Sequence, residues 1–91
     1  MPNEKCAMHE VLIERAAEKD LRRLDSQMHD RIVKQIVGLG KEPRPSGSKK
    51  LSGSASDWRI RVGDYRVLYE IADAIRVVRV YRVRHRREAY R

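Results

Sequence analysis

Three arginines on one predicted hairpin, and a His-Arg-Arg-Glu-Ala-Tyr tail, are the residues of this chain best placed to do chemistry. In Trp58-Arg59-Ile60-Arg61-Val62, a period of two puts Arg59 and Arg61 on the face opposite the three apolar side chains. Gly63-Asp64 reads as a two-residue turn of the kind that needs positive φ. Across it, Arg66 falls on the arginine face, opposite Tyr65 and Val67. Close cations repel one another, and Glu70 is the one carboxylate nearby on that face. A fixed group of guanidiniums suits phosphate oxygens, which arginine grips in bidentate fashion. The blander reading, a solvated face of a basic protein, accounts for the charge but not for its crowding.

The second group is His85-Arg86-Arg87-Glu88-Ala89-Tyr90-Arg91, which follows the last predicted strand and can fold back beside the hairpin. It offers a proton acceptor, cations and a phenol. Cleavage of RNA by its own 2′-hydroxyl needs a base, charge stabilisation at the phosphorane, and an acid for the leaving oxygen. An ordinary tyrosine ionises near ~10, and surrounding arginines favour the phenolate that a base requires. The plainer alternatives are a Tyr90 packed on the edge of a core and a His85 acting as a structural donor. Other chemistries find no support. One cysteine, Cys6, and the dispersed His9, His29 and His85 lack zinc-ligand spacing. No glycine-rich phosphate loop, G-x-S-x-G or H-E-x-x-H occurs. Aromatic platforms for stacking bases are scarce at 5% of residues, and Trp58, alternating with the arginines, reads as core.

The charge is unevenly placed. From Met1 to Pro43, eight Lys/Arg meet eight Asp/Glu; from Arg44 to Arg91, thirteen meet five, so the second half holds the whole +8. A neutral scaffold half and a basic half that binds a polyanion follow from that separation. Ninety-one residues make one domain, 1–91, with 1–8 a flexible lead. Without phenylalanine and with one tryptophan, the core must be mostly aliphatic. A lone cysteine excludes an internal disulfide and suits a reducing compartment. Met1 to Met8 hold no apolar run that could serve as a signal peptide. No stretch approaches the roughly 20 apolar residues that span a bilayer. A cytoplasmic protein with no membrane partner is the expectation.

The elements that must position these groups are legible. His9 to Ile13 is a short, mostly apolar run consistent with a first strand. Ala17, Leu21 and Leu24 mark an amphipathic helix over Glu14 to Leu24. A second helix, capped by Asp25 or Ser26, carries Met28, Ile32, Ile36 and Leu39 to a stop at Gly40 and Pro43. Lys41 to Asp57, rich in Pro, Gly and Ser, reads as a loop. Three strands follow: Trp58 to Val62, Tyr65 to Ile71, and Ile75 to Val83, where Val77-Val78 breaks alternation and predicts burial on both sides. The tail has room for one helical turn. The order β-α-α-β-β-β predicts an α+β layer, an antiparallel sheet with the helix pair on one face.

These residues resemble a known family. Val11 to Leu21, Pro43-Arg44-Pro45 and Lys49-Lys50-Leu51-Ser52-Gly53 are similar to the front of a RelE-type toxin. Trp58 to Ile71 is nearer still to that family's central hairpin, and His85 to Tyr90 resembles its closing motif. The resemblance runs from His9 to Arg91 and implies the toxin half of a bacterial or archaeal toxin–antitoxin pair. The implied activity is a metal-independent, cofactor-free endoribonuclease that cuts translated mRNA in the ribosomal A site. The implied partners are mRNA, ribosomal RNA and a RelB-like antitoxin in a hetero-oligomer. Residue by residue, the resemblance implies catalytic roles for Arg59 and Arg61 (lysines in some members) and a transition-state role for Arg66. It implies an acid or charge-stabilising role for Arg86 and a general-base role for Tyr90. Lys49, Lys50, Arg82, Arg84, His85 and Arg87 are implied contacts to RNA or the ribosome. Arginine is a weaker acid than lysine, so positions 59 and 61 keep phosphate binding while losing ground as proton donors. The main rival is a ParE-like protein, which shares the fold, poisons DNA gyrase and cleaves nothing.

Overall fold

The structure, a computed structural model, describes residues 8–53 and 56–89. Cys6 and Tyr90 lie outside the described residues. Strand β1 (Glu10–Ile13) leads into helices α1 (Arg15–Arg22) and α2 (Ser26–Gly38). Then come β2 (Lys49–Lys50), β3 (Asp57–Val62), β4 (Tyr65–Ala72), a 3₁₀ turn at Asp73–Ile75, β5 (Val77–His85) and the single-turn α3 (Arg86–Ala89). The sheet order is β1-β5-β4-β3-β2. The expected α+β layer is present, with two additions. β1 joins β5 in parallel rather than antiparallel, Glu10 opposite Val77. β2 lies within the stretch expected to be loop, pairing Lys49 with Arg59 and Lys50 with Trp58.

The amphipathic stripes become the core. Ala17 and Leu21 of α1, Ile32 and Ile36 of α2, and Leu39 pack with Ile60, Val62, Val67, Tyr69, Ile71, Val78, Val80 and Val83 of the sheet. Each large apolar side chain so buried stabilises by about 1.5–3 kcal/mol relative to exposure. Both helices therefore take one face of the sheet, and the other face is left to the charged residues of β3, β4 and β5.

Local chemistry sets the ends of the elements. Asp25 caps α2 by accepting from the Met28 N–H at 2.8 Å. Gly40 is not the left-handed residue expected after α2, since its φ is not among the positive ones. It is required because the His9 carbonyl lies 2.8 Å from where a Cβ would stand. Gly63 supplies positive φ (59°) at the first central position of the β3–β4 turn, as a II′ hairpin needs. The break in alternation on β5 also differs from expectation. Leu68 faces Arg82 while Tyr69 faces Val80, which leaves Tyr81 as a bulge. Val78 and Val80 thus share the core face with Val83, three residues on.

Candidate functional site

Register turns the arginines into rows across the uncovered face. Arg61 lies directly opposite Arg66, and Arg66 directly opposite Arg84. Residues paired in this way share a face with their Cβ atoms about 4.5–5.5 Å apart. The next row is Lys49–Arg59–Leu68–Arg82, and the far row is Asp57–Glu70–Arg79. No carboxylate stands in the first row. Arg66, at its centre, is 7% exposed and is the one buried charged residue among those described. Three guanidiniums in one cross-strand row present planar forks that match the oxygens of a phosphodiester.

The tail approaches the same end of the sheet. α3 packs on β4 and β5, and the Arg86 N–H donates to the Asp64 carbonyl at 2.7 Å. The Arg86 guanidinium stands 4.0 Å from the Asp64 carboxylate, and Arg86 and Arg87 are exposed. His85 pairs with Tyr65 on the helix-covered face, so alternation places it on the other side of the sheet from Arg84. Its ring meets Tyr65 edge to face at 5.2 Å. Its Nδ1 accepts from the Arg87 N–H at 3.3 Å, which leaves the ring proton on Nε2.

The other site residues expected from sequence divide. Lys49 and Arg59 stand side by side next to the arginine row, while Lys50, exposed, alternates away from them opposite Trp58. Arg82 does not project as a free cation: its guanidinium donates to both carboxylate oxygens of Asp20, at 2.9 and 3.2 Å. The same carboxylate accepts from the Val83 N–H at 2.9 Å. Asp20 thereby caps the edge of β5 where β1 has ended.

The loop carrying Lys49 is held by a separate cluster. Arg44 lies 5.2 Å from the centre of the Trp58 ring and donates to Asp73 at 2.8 Å. His9 meets the other Asp73 oxygen at 3.1 Å. The Arg44 hydrogen bond first, and then that from His9, hold the Asp73 carboxyl below its ordinary range. The Tyr69 hydroxyl donates to the Pro43 carbonyl at 2.7 Å, and burial pushes its phenol up to about 12.

Two clefts flank the face. One, of about 320 Å³, is lined by Gln35 of α2, the Pro45-Ser46-Gly47 turn, and Lys49, Arg59, Ile60 and Arg61. The other, of about 280 Å³, lies between Asp20 of α1, Arg23 and Leu24 just beyond that helix, and Tyr65, Arg82, Val83 and His85 of the sheet. Sequence reasoning missed Gln35 and Asp20. Gln35 sits three residues after Ile32 and one before Ile36, on the flank of a stripe whose centre alone was read. Among the described residues, no group of three or more His, Cys, Asp and Glu side chains could hold a metal ion, and no helix is long and apolar enough to cross a membrane.

Comparisons with known proteins agree on the fold. Residues 11–90 match the family described as the ParE toxin of the type II toxin–antitoxin system parDE. Among solved structures, the chain is similar to one in the toxin–antitoxin complex RelBE2 from Mycobacterium tuberculosis, at 31% identity and a TM-score of 0.76. That match covers 86% of this chain and 98% of the other. A chain of the archaeal RelE–RelB complex from Pyrococcus horikoshii is 27% identical with a TM-score of 0.78, over 87% of this chain and 96% of that one. The isolated E. coli RelE toxin is 26% identical with a TM-score of 0.74, over 90% and 95%. No curated protein sequence matches the chain.

Proposed function

Because the chain belongs to the ParE-toxin family of type II toxin–antitoxin systems, within a fold shared with RelE toxins, we propose that it is a RelE-like mRNA endonuclease. It cuts translated mRNA in the ribosomal A site, in the cytoplasm, using protein side chains and no metal. The observation that carries this reading is the cross-strand row Arg61–Arg66–Arg84 with Arg66 buried at its centre. In this mechanism the row holds the scissile phosphate and stabilises the phosphorane as its charge develops. Arg59 extends that field along β3, and Arg86 meets the leaving oxygen as an acid or as a charge. Tyr90, four residues beyond Arg86 in sequence, takes the proton of the 2′-hydroxyl. Lys49, Lys50, Arg84, His85 and Arg87 contact ribosomal RNA or the mRNA on either side. Arg82, bound to Asp20, contributes by fixing the edge of β5.

The cognate partner is an antitoxin whose acidic or amphipathic segment wraps the helix pair and covers the basic face. The charge asymmetry supports this, because complementary potentials speed association and select the partner. A second reading is favoured by the family description itself: a ParE-like gyrase inhibitor would share the fold and the antitoxin and cut nothing. Brief induction in cells, with transcript ends mapped by primer extension, separates the two. New ends within translated codons support the nuclease. Intact transcripts together with inhibited DNA supercoiling by gyrase would replace it with the inhibitor.

A further inference from the structure

We propose that the cleft between α2 and the outer edge of β3 is a base-reading subsite for one nucleotide of the RNA, with Gln35 its specificity-determining residue and adenine its preferred base. The proposal rests on the nuclease reading and adds to it the recognition of a base beside the cut.

The cleft exists because β2 is short. It ends at Lys49, opposite Arg59, so beyond Arg59 the outer edge of β3 has no strand beside it. The Leu51 N–H donates to the Asp57 carbonyl at 2.8 Å, which fixes which β3 peptides face outward. Antiparallel alternation then turns the peptide groups of Asp57, Arg59 and Arg61 to that edge. The Arg61 N–H and C=O therefore face the cleft, a donor and an acceptor on one side. Gln35 stands on the opposite wall and brings a side-chain amide with both kinds of group. Lys49, Arg59 and Arg61 surround the cleft with cations, while Pro45 and Ile60 give it apolar surface.

A surface that only attracts a polyanion needs cations and nothing more. An amide facing a strand edge inside a cationic rim is suited to a base whose phosphates lie at the rim. At about 320 Å³ the cleft is at the small end of ligand clefts, which admits a single splayed nucleotide and excludes a duplex. Single-stranded RNA is read in this manner, on the base edges it exposes. Glutamine pairs in bidentate fashion with adenine, accepting from N6 and donating to N7. Arg61 belongs to the same row as Arg66, so the base read here is attached to a nucleotide next to the phosphate held by that row.

Cut positions mapped across many transcripts for the wild type, Gln35→Leu and Lys34→Gln test the assignment. The wild type should enrich adenine at one position flanking the cut. Gln35→Leu should lower that enrichment on the order of tenfold, and Lys34→Gln, one residue away but outside the cleft lining, should keep it. The same base distribution in the wild type and Gln35→Leu overturns the proposal. Adenosine and uridine 5′-monophosphates titrated onto the purified full chain, followed by the Gln35 side-chain and Arg61 backbone amide resonances, decide it even if no RNA is cut. Tighter binding of the adenosine nucleotide, lost in Gln35→Leu, supports the subsite. Equal binding of the two nucleotides would overturn it, and a response to N-acetylglutamate alone would overturn it and assign the cleft to an acidic peptide instead.

Discussion

The two ends of the uncovered face are built from the same three strands and treat their charges in opposite ways. Toward Asp73, Arg79 lies in a row with Glu70 and Asp57; it bonds to Glu70 and stands 3.1 Å from Glu14. Toward Gly63, Arg61, Arg66 and Arg84 face one another with no carboxylate between them. Cations placed to stabilise a sheet are given acids across the strand, as Arg79 is. The Arg61–Arg66–Arg84 row instead sets cations across from cations, an arrangement that suits an anionic ligand. The charge-matched end shows that this sequence can set acids across from an arginine, so basic composition alone does not account for a row in which arginines face one another.

Removing the centre of the crowded row is the strongest way to break that contrast. Arg66→Ala should reduce ribosome-dependent mRNA cleavage on the order of 10²–10³-fold, the usual result of losing one preorganised charge at a developing anion. Arg66→Lys should recover part of it, because an ammonium restores the charge without the bidentate fork. Single-turnover cleavage measures both, and far-UV circular dichroism verifies that the buried position still folds. Full activity in Arg66→Ala would make the two ends alike.

Asp20 sharpens the contrast from the other side, since it captures an arginine to which the family resemblance gave a contact with RNA or the ribosome. Asp20→Ala strips the Arg82 guanidinium and the Val83 N–H of a shared acceptor. It should lower stability by about 1–3 kcal/mol, read as a lower urea midpoint at unchanged slope. Arg82→Ala should cost less, because the Val83 amide keeps its partner. Equal losses would mean that the guanidinium, not the strand edge, is what Asp20 serves.

Tyr69, behind the charge-matched end, provides a test that depends on pH. Its hydroxyl holds the Pro43 carbonyl and so the loop that leads to Lys49. The phenol ionises at about 12 in the folded chain, against 10.0 ordinarily. A raised folded value means that the stabilisation is fully present below pH 10 and is lost as pH rises through 12. Thermal melts of the wild type should therefore fall across that window beyond the fall seen in Tyr69→Phe. At neutral pH, Tyr69→Phe should cost about 1 kcal/mol for the lost hydrogen bond.

Much of this was legible in the residues, for reasons that also mark where legibility stops. Alternation from Trp58 to Tyr69 separated core from charge because a pleated strand has a strict period of two, and Gly63-Asp64 carried its own turn geometry. Asp25 was readable as a cap because capping is local. β2 was not: two lysines have no periodicity, and they become a strand only because Arg59 and Trp58 lie alongside. The parallel docking of β1 depends on where the chain returns after two helices, which no short pattern encodes. The bulge at Tyr81 was misread at Val77-Val78, because two adjacent valines resemble a shift of register whether or not one occurs there. Of the expected site, Arg59, Arg61 and Arg66 were placed on one face by alternation alone. Arg84 joins them through strand register, Gln35 borders the neighbouring cleft through the packing of α2, and Asp20's hold on Arg82 comes from a helix more than 60 positions away in sequence.

The smallest expected effect lies at the charge-matched end itself. Arg79 and its partners Glu14 and Glu70 are each about a third to a half exposed, so water already screens them. An exposed pair is worth about 0–1 kcal/mol, and that value falls as salt is added. Arg79→Ala should therefore lower the unfolding free energy by less than about 1 kcal/mol at low salt, with the difference shrinking toward zero at 1 M sodium chloride. The chain would lose one positive charge, as it does in Arg66→Ala, while mRNA cleavage stays at the wild-type rate. That pairing of variants separates net charge from placement. If removing either arginine slowed cleavage equally, only the total positive charge would matter, and the row at the Gly63 end would have no special role. If Arg79→Ala is silent in cleavage and Arg66→Ala is not, the position of a guanidinium relative to its neighbours decides what it does.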